Sequence, residues 1–214
     1  MSGATAAPAS ALYRELAEMG VATLYEAAGR TGLVDLPLTR VGGGPAVAGP
    51  ARTAACGQGD NRAVHEVMSV LAPGDVLVAA MPDPAPVALL GELLGVQASV
   101  HGAAAVLVGG SVRDVAELRE LGLPVWARWV RATGATKTER GRVDAPVTLG
   151  GAEVRPGDAV VLDDDGAVVV AADRVGEVLA AARARLEREA AMRARLRSGE
   201  LSYDIYGMRS EDAR

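Results

Sequence analysis

The chain has 214 residues, half of them hydrophobic and 23% charged, with a mean hydropathy of +0.18; this is enough apolar material for one folded domain, or at most two small ones, and it excludes a disordered chain. A net charge of −5 without a long basic run argues against nucleic acid as the main partner. The single cysteine, Cys56, excludes an internal disulfide, and the scarcity of aromatic residues (3%, with no Phe) leaves Ala, Val and Leu to build the core.

Residues 1–8 are small or turn-forming and are expected to fray. They lack the basic and apolar segments of a signal peptide, and no apolar run is long enough to span a bilayer, so a cytoplasmic protein is expected. Ser10 is a candidate cap for a helix with Leu12, Leu16 and Met19 on one face, ended by Gly20. Thr23 to Ala28 reads as a second helix closed by Gly29. Gly42-Gly43-Gly44-Pro45 is a turn and not a phosphate loop, because no Lys-Ser or Lys-Thr follows. Val47 to Cys56 reads as strand, which makes Cys56 a buried thiol. Asn61 to Leu71 reads as helix and Val76 to Val78 as buried strand. Pro82-Asp83-Pro84-Ala85-Pro86 forms a stiff loop over the entrance to the segment that follows.

That segment, Pro86 to Gly122, reads as helix, strand, glycine turn, helix. Gly91 opens helix formers running to Val100, and Ala103 to Val108 suits a buried strand. Gly109-Gly110-Ser111 breaks the strand, and Asp114 begins a helix that stops at Gly122 before Pro124. Arg113 and Asp114 therefore fall where a buried strand ends and a helix begins, the place where α/β proteins collect ligands. Taken alone, the pair reads more readily as a salt-bridged helix start, and Glu92 as an ordinary first-turn glutamate.

Pro124 to Trp129 continues as strand, and Arg142 to Leu149 with Ala152 to Val154 forms a hairpin across Gly150-Gly151. Ala159 to Leu162 and Ala167 to Val170 flank Asp163-Asp164-Asp165-Gly166. Three adjacent aspartates invite a metal, but Asp-Gly between two apolar runs is a hairpin signal, and the turn explains them better. Asp173 caps a long helix to about Ser198, closed by Gly199, with Val175, Val178, Leu179, Ala182, Leu186 and Ala190 near helical spacing. Its Arg- and Glu-rich face is either solvated or laid on a neighbour. The tail, Leu201 to Met208, holds two of the four tyrosines and should dock somewhere. The histidines, His65 and His101, have no second histidine at ligand spacing, which disfavours zinc. Strands alternating with helices, with no repeat or linker, indicate one α/β domain over residues 1–214.

Glu92, twenty intervening residues, and Arg113-Asp114 form a pattern that resembles the signature of the pyruvate aldolases acting on 4-hydroxy-4-methyl-2-oxoglutarate and 4-carboxy-4-hydroxy-2-oxoadipate. These belong to the RraA-like superfamily, named after a regulator of ribonuclease E activity. Gly20-Val21-Ala22-Thr23, Gly59-Asp60-Asn61 with His65, Pro156-Gly157-Asp158, Asp163 to Gly166 and the tail around Tyr206-Gly207-Met208-Arg209 are similar too, so that the resemblance covers roughly residues 12–210. It implies a compact swivelling-type β/α sandwich with a long C-terminal helix and tail, 173–214, used in trimers or hexamers. It also implies a metal-dependent aldolase, with oxaloacetate decarboxylation possible through the same pyruvate enolate. The alternative is a non-catalytic regulator that binds a ribonuclease or helicase; that branch lacks the aspartate after the arginine.

An enolate can be stabilised by a lysine Schiff base or by a metal. The only lysine, Lys137, lies in the polar stretch Thr136 to Arg140, without the burial that lowers a lysine pKa, so Mg²⁺ or Mn²⁺ is favoured. The resemblance makes Asp114 the direct metal ligand, with Glu92 acting through water. A glutamate of the neighbouring subunit's C-terminal helix also acts through water; Glu189 is the best match and Glu187 the next. Arg113 would hold the substrate's carboxylate and keto oxygen, and Gly91, Leu93 and Leu94 would present main chain to the carboxylate. His65 would line the site. Two departures stand out. Gly109 replaces a customary acidic residue, which predicts altered hydrogen bonding near the metal. Leu89-Leu90 replace customary aromatics, which predicts a reshaped pocket.

Overall fold

The computed structural model describes residues 11–211; the fraying expected at 1–8 and the cap expected at Ser10 lie outside them. Helices α1 (Ala11–Met19) and α2 (Val21–Ala27) meet at Gly20, where φ is +76°. Next come β1 (Thr39–Val41), β2 (Val47–Ala55), α3 (Arg62–Val67), β3 (Val76–Ala80), β4 (Ala88–Leu90), α4 (Glu92–Val100), β5 (Ala105–Val112), α5 (Val115–Leu121) and β6 (Val125–Val130). The second half is strand-rich: β7 (Arg142–Val143), β8 (Val147–Leu149), β9 (Ala152–Val154), β10 (Ala159–Asp163) and β11 (Gly166–Val170). Then follow α6 (Val175–Arg197) and two short helices, α7 (Ser202–Ile205) and α8 (Met208–Glu211).

The main sheet has the order β1-β6-β5-β3-β2-β10-β11, with β4 added to β5 and β7 to β2. Its centre is parallel: β2 on β3, β3 on β5 and β5 on β6. The outer pairs, β1 on β6 and β10 on both β2 and β11, are antiparallel. Every residue of β3 and β5 is buried, as expected for parallel strands covered on both faces. On one face α3, α4 and α5 contribute Val64, Leu94 and Leu118 to a cluster with Leu77, Val106 and Val125. On the other, Val76, Val78 and Leu107 share a cluster with Val160 and Leu162 of β10, Val169 of β11 and Leu149 and Val154 of the β8–β9 hairpin. Strands several places apart in the order can share one cluster only if the sheet curls, so the sheet is a half-barrel. Outside its β10–β11 end, α1, α2 and α6 bury Leu16, Leu24, Val178 and Leu179.

Several sequence expectations need correction. The strand at Ala105 does not break at Gly109-Gly110-Ser111. It runs to Val112, with a register shift between Val108 and Ser111 where β4 comes alongside. The glycines serve close packing: a Cβ on Gly110 would lie 2.9 Å from Met81 Cε and 3.1 Å from Val87 O. Gly109 does not face the metal-site candidates, since a Cβ there would lie 3.3 Å from Leu149 Cδ2 in the apolar cluster. Leu89 and Leu90 are fully buried in the helix-side core and wall no pocket at Arg113. Leu12 is exposed, so only part of the face expected on the first helix is buried. The helix expected over 61–71 is α3 alone. Asp173 lies in a 3₁₀ turn, Ala172–Arg174, and makes no cap bond to α6. Within the aspartate run Asp163 ends β10 and Asp164-Asp165 form the turn into β11, as the strands implied. Asp163 accepts the N–H of Val21 at 2.7 Å and of Asp165 at 2.8 Å, and Asp164 pairs with Arg40. Among the described residues no helix is long and apolar enough to cross a membrane.

Candidate functional site

Strands β4 and β5 run parallel and end side by side, so the residues that follow them meet. Gly91 and the first turn of α4 follow β4; Arg113 and Asp114 follow β5. The Arg113 N–H donates to Leu90 O at 3.1 Å, and the Glu92 N–H donates to Asp114 Oδ2 at 3.1 Å. Asp114 adopts the left-handed backbone region, φ +55° and ψ +48°, which aspartate tolerates better than most residues but still at a cost of about 1 kcal/mol or more. Backbone strain of this kind clusters at functional sites.

Gly91 is required by proximity. A Cβ there would fall on Asp114 Oδ2 and lie 3.0 Å from Arg113 Cγ. Gly134 gives way in the same manner: its Cβ would lie 2.8 Å from Arg113 Nη1. Gly95 lets the helices close up, because a Cβ there would lie 2.5 Å from Leu118 Cδ2. Glycine inside a helix costs about 1 kcal/mol against alanine, and here it brings α5, with Asp114 at its start, against α4.

A cavity of about 340 Å³ opens at this junction. It gathers Gly91, Glu92, Leu93, Leu94, Arg113 and Asp114, all six residues that the sequence assigned to one chain's site, and His65 with them. Glu189 is not among its lining residues. It sits on α6, paired with Arg185 at 2.8 Å and Arg193 at 3.5 Å, and Glu187 is exposed on the same helix.

Among the residues of this cavity that carried no assignment in the sequence, two bear on its chemistry. One is Lys137, which is exposed yet lines the cavity. The other is Asn61, 7% exposed, whose Nδ2 donates to Leu89 O at 3.0 Å while its buried Oδ1 has no partner among the described residues. A buried acceptor without a partner costs about 1–3 kcal/mol unless a ligand or water supplies the proton.

The charges are mixed. Arg113 and Lys137 bring positive charge; Glu92, Asp114 and Glu117 bring negative charge. Arg113 Nε lies 3.5 Å from Asp114 Oδ2, and Asp114 Oδ1 has no hydrogen bond among the described residues. Burial, and then the Lys137 charge, push the His65 pKa down against the weaker pull of Asp60, so this imidazole is neutral at pH 7. No cluster of three or more His, Cys, Asp or Glu side chains suited to a metal occurs among the described residues. Of the site's three carboxylates, Asp114 and Glu92 flank the junction of β5 and α4. That set fits Mg²⁺ or Mn²⁺, which take one or two carboxylates and fill the remaining positions with water and substrate oxygens.

Two larger cavities have weaker chemistry. In one, of about 620 Å³, Glu153 is paired with Arg155, and Asp158 accepts the N–H groups of Arg155 and Ala172. The other, of about 470 Å³, contains Cys56, whose thiol burial pushes up to about 12; it is the inert buried thiol that the sequence indicated.

Residues 21–169 match the family model described as RraA-like, Aldolase/RraA. A relative from Halalkalibacterium halodurans, named "Putative 4-hydroxy-4-methyl-2-oxoglutarate aldolase", is 36% identical over 124 residues, which is 58% of this chain and 59% of the relative. The chain thus matches less than two thirds of that relative's length. Streptomyces coelicolor RraAS2, titled an unusual member of the RNase ES inhibitor RraA protein family, superposes with a TM-score of 0.74 at 32% identity, covering 87% of this chain and 97% of that one. The RNA-processing inhibitor RraA from Thermus thermophilis gives a TM-score of 0.58 at 33% identity, over 65% and 82% respectively.

Proposed function

Since the chain belongs to the RraA-like family, we propose that it is a divalent-metal-dependent pyruvate aldolase acting on a 4-hydroxy-2-oxo acid that carries a second carboxylate. The observation that carries this reading is the meeting of Arg113 and Asp114, at the end of β5, with the amino-terminal turn of α4 around one cavity. In the reaction the C4 hydroxyl loses its proton and the C3–C4 bond breaks. Its electron pair forms the enolate of pyruvate, and C3 then takes up a proton. Asp114, and through water Glu92, would hold a divalent cation, which would supply a Lewis acid for the negative charge on the enolate.

The chain's own residues bind and orient. Arg113 offers a planar fork to the carboxylate and keto oxygen of the 2-oxo acid end. The amides of Leu93 and Leu94 lie in the first turn of α4, where a helix has no internal acceptor, and they are available to the carboxylate of the 2-oxo acid. Lys137 supplies the cation for the second carboxylate, and the Asn61 Oδ1 accepts a hydrogen bond from a substrate hydroxyl. With one metal site and one enolate, oxaloacetate would be decarboxylated at the same place. We further propose that the working form is a trimer or hexamer in the cytoplasm, with Glu189 of a neighbouring subunit completing the site.

The test is pyruvate release, followed by a coupled dehydrogenase, from a panel of 4-hydroxy-2-oxo acids and oxaloacetate, with Mg²⁺ or Mn²⁺ and then with chelator. Release should fall at least tenfold in chelator and return with added metal. Full activity in chelator, or borohydride trapping of pyruvate on Lys137, would overturn the metal route. No release from any substrate would favour instead a regulatory role, of the kind that the name RNA-processing inhibitor gives the Thermus thermophilis protein.

A second result is expected at Gly91. An alanine there must push Asp114 and Arg113 aside, and displacement by about 1 Å costs roughly 10²-fold in rate. Gly91→Ala should therefore lower kcat by about 10–10²-fold while the chain stays folded by circular dichroism; unchanged turnover would mean that the close approach has no catalytic value.

A further inference from the structure

Asp60 is fully buried and touches neither Arg113 nor Asp114, yet it joins the two elements that line the rest of the cavity. Its Oδ1 accepts the N–H of Arg62, 2.8 Å away, at the start of α3. Its Oδ2 accepts three bonds from one loop: Thr136 Oγ1 at 2.6 Å, the Thr138 N–H at 2.6 Å and the Glu139 N–H at 3.1 Å. Main-chain bonds reinforce the junction, from Asn61 N–H to Thr136 O and from Thr136 N–H to Gly59 O, both 3.0 Å. Lys137 lies between the residues that Asp60 holds. Asn61 and His65 lie on the α3 side of the same carboxylate.

The loop is otherwise anchored upstream, where Ala88 N–H donates to Thr133 O and Ala88 bridges Gly134. Gly134 is the residue over which the Arg113 guanidinium lies. One loop thus fixes the spacing of two cations, with Arg113 resting against its upstream anchor and Lys137 carried at its downstream one. The downstream anchor is Asp60. Burial pushes its pKa up, but the four hydrogen bonds outweigh burial and hold the carboxyl well below the usual carboxylate range. A charged acceptor of this kind forms the stronger class of hydrogen bond, and it stays ionised throughout the neutral range.

We propose that Asp60 is a positioning residue for substrate selection. By clamping the 136–139 loop to the start of α3, it holds Lys137 at the distance from Arg113 that suits a 2-oxo acid with a second carboxylate. This rests on the functional reading above, and it assigns the preference for a dianion to a residue that never touches the substrate. Lys137 has four rotatable bonds and an exposed head, so its reach is set by its backbone, and Asp60 sets the backbone.

The experiment compares two substrates, 4-hydroxy-4-methyl-2-oxoglutarate, which has the second carboxylate, and 4-hydroxy-2-oxopentanoate, which lacks it. Asp60→Asn keeps the size but replaces one acceptor oxygen by a donor. KM for the first substrate should rise at least tenfold with kcat within threefold, and kcat/KM for the second should stay within threefold. In Asp60→Asn/Lys137→Met the effect should not exceed that of Lys137→Met alone, because both changes remove the same interaction. Should Asp60→Asn fail to fold, Thr136→Ala removes one of the four bonds and should give the same selective rise, at about two- to fivefold. Equal losses on both substrates, or additive losses in the double variant, would overturn the proposal.

Binding measured by calorimetry separates the two readings without turnover. The unaltered protein should bind 2-oxoglutarate more tightly than 2-oxobutyrate, and Asp60→Asn should lose that preference. If the preference persists in the variant, the role of Asp60 is refuted and the aldolase reading stands. If the unaltered protein shows neither turnover nor preference, the aldolase reading falls.

Discussion

Asp114→Ala and Asp114→Asn should each reduce pyruvate release by at least about 10³-fold in kcat/KM, roughly 4 kcal/mol of transition-state stabilisation, while the protein stays folded. On the proposed reading Asp114 binds the cation directly through Oδ1, which takes part in no hydrogen bond among the described residues, so either change removes that ligand. Folding should survive for separate reasons. The carboxylate is 40% exposed and its pair with Arg113 is 3.5 Å long; a surface pair of this sort is worth about 0–1 kcal/mol. Asparagine accepts the left-handed backbone as aspartate does, and it can still take the Glu92 N–H on its amide oxygen. Alanine fits that backbone less well and should cost about 1 kcal/mol more. A calorimetric titration with Mn²⁺ checks the assignment directly: both variants should lose the metal isotherm. Arg113→Ala should keep it and instead raise KM for the 2-oxo acid. Turnover that persists in both Asp114 variants would place the chemistry elsewhere.

The contrast between Asp114 and Lys137 shows what a sequence makes legible. The strand end, the helix start and the Arg-Asp pair are local features, written in consecutive residues, and they place Arg113 and Asp114 where ligands collect; that Glu92 joins them comes from the resemblance to the aldolase signature. Lys137 reaches the same cavity through a carboxylate 77 positions earlier, which no local pattern announces. The Gly59-Asp60-Asn61 triplet enters only through the resemblance, with no role, whereas Asp60 makes three of its four bonds to a distant loop and Asn61 turns to Leu89. The sole lysine, set among polar residues after a strand, was the one available hint.

Packing decided the other differences. Gly109 and Gly110 look like a turn because glycine disfavours strands in isolation, but the strand continues through them, with Met81 and Val87 packed close at Gly110 and Leu149 at Gly109. Asp173 is a plausible cap by residue type, yet a 3₁₀ turn at Ala172–Arg174 opens α6 without it. The alternating strands and helices were legible in order; the curl that brings β10 and β11 over β3 and β5 was not, because it depends on which buried faces meet.

Mixing two inactive proteins, Asp114→Ala and Glu189→Ala, should restore activity. The reason begins with surfaces that a single chain leaves uncovered. Leu93, Val96 and Val100 are 81%, 40% and 70% exposed along one face of α4, beside the cavity. Helix α6 has 23 residues, about 35 Å at 1.5 Å per residue, and its last buried residue is Ala182. From Arg183 onward it extends beyond the core, and the chain after it exposes Leu201, Tyr206 and Met208. A single chain thus carries an apolar stripe at the site and an apolar tail on a projecting helix. A heterologous contact that closes into a ring would let each cover the other in the next subunit. Glu189 lies on the projecting half, held only by ion pairs within the helix to Arg185 and Arg193, which cost little to give up. If it completes a neighbour's site, each variant alone destroys every site. A ring of equal, randomly mixed subunits keeps about one site in four intact, because an unaltered Asp114 then faces an unaltered Glu189. About a quarter of the original activity should return after subunit exchange. A monomer by light scattering with turnover intact would rule out the ring. Proven exchange without recovery would leave the ring and refute the shared site, and then Glu187→Ala in place of Glu189→Ala is the variant to mix.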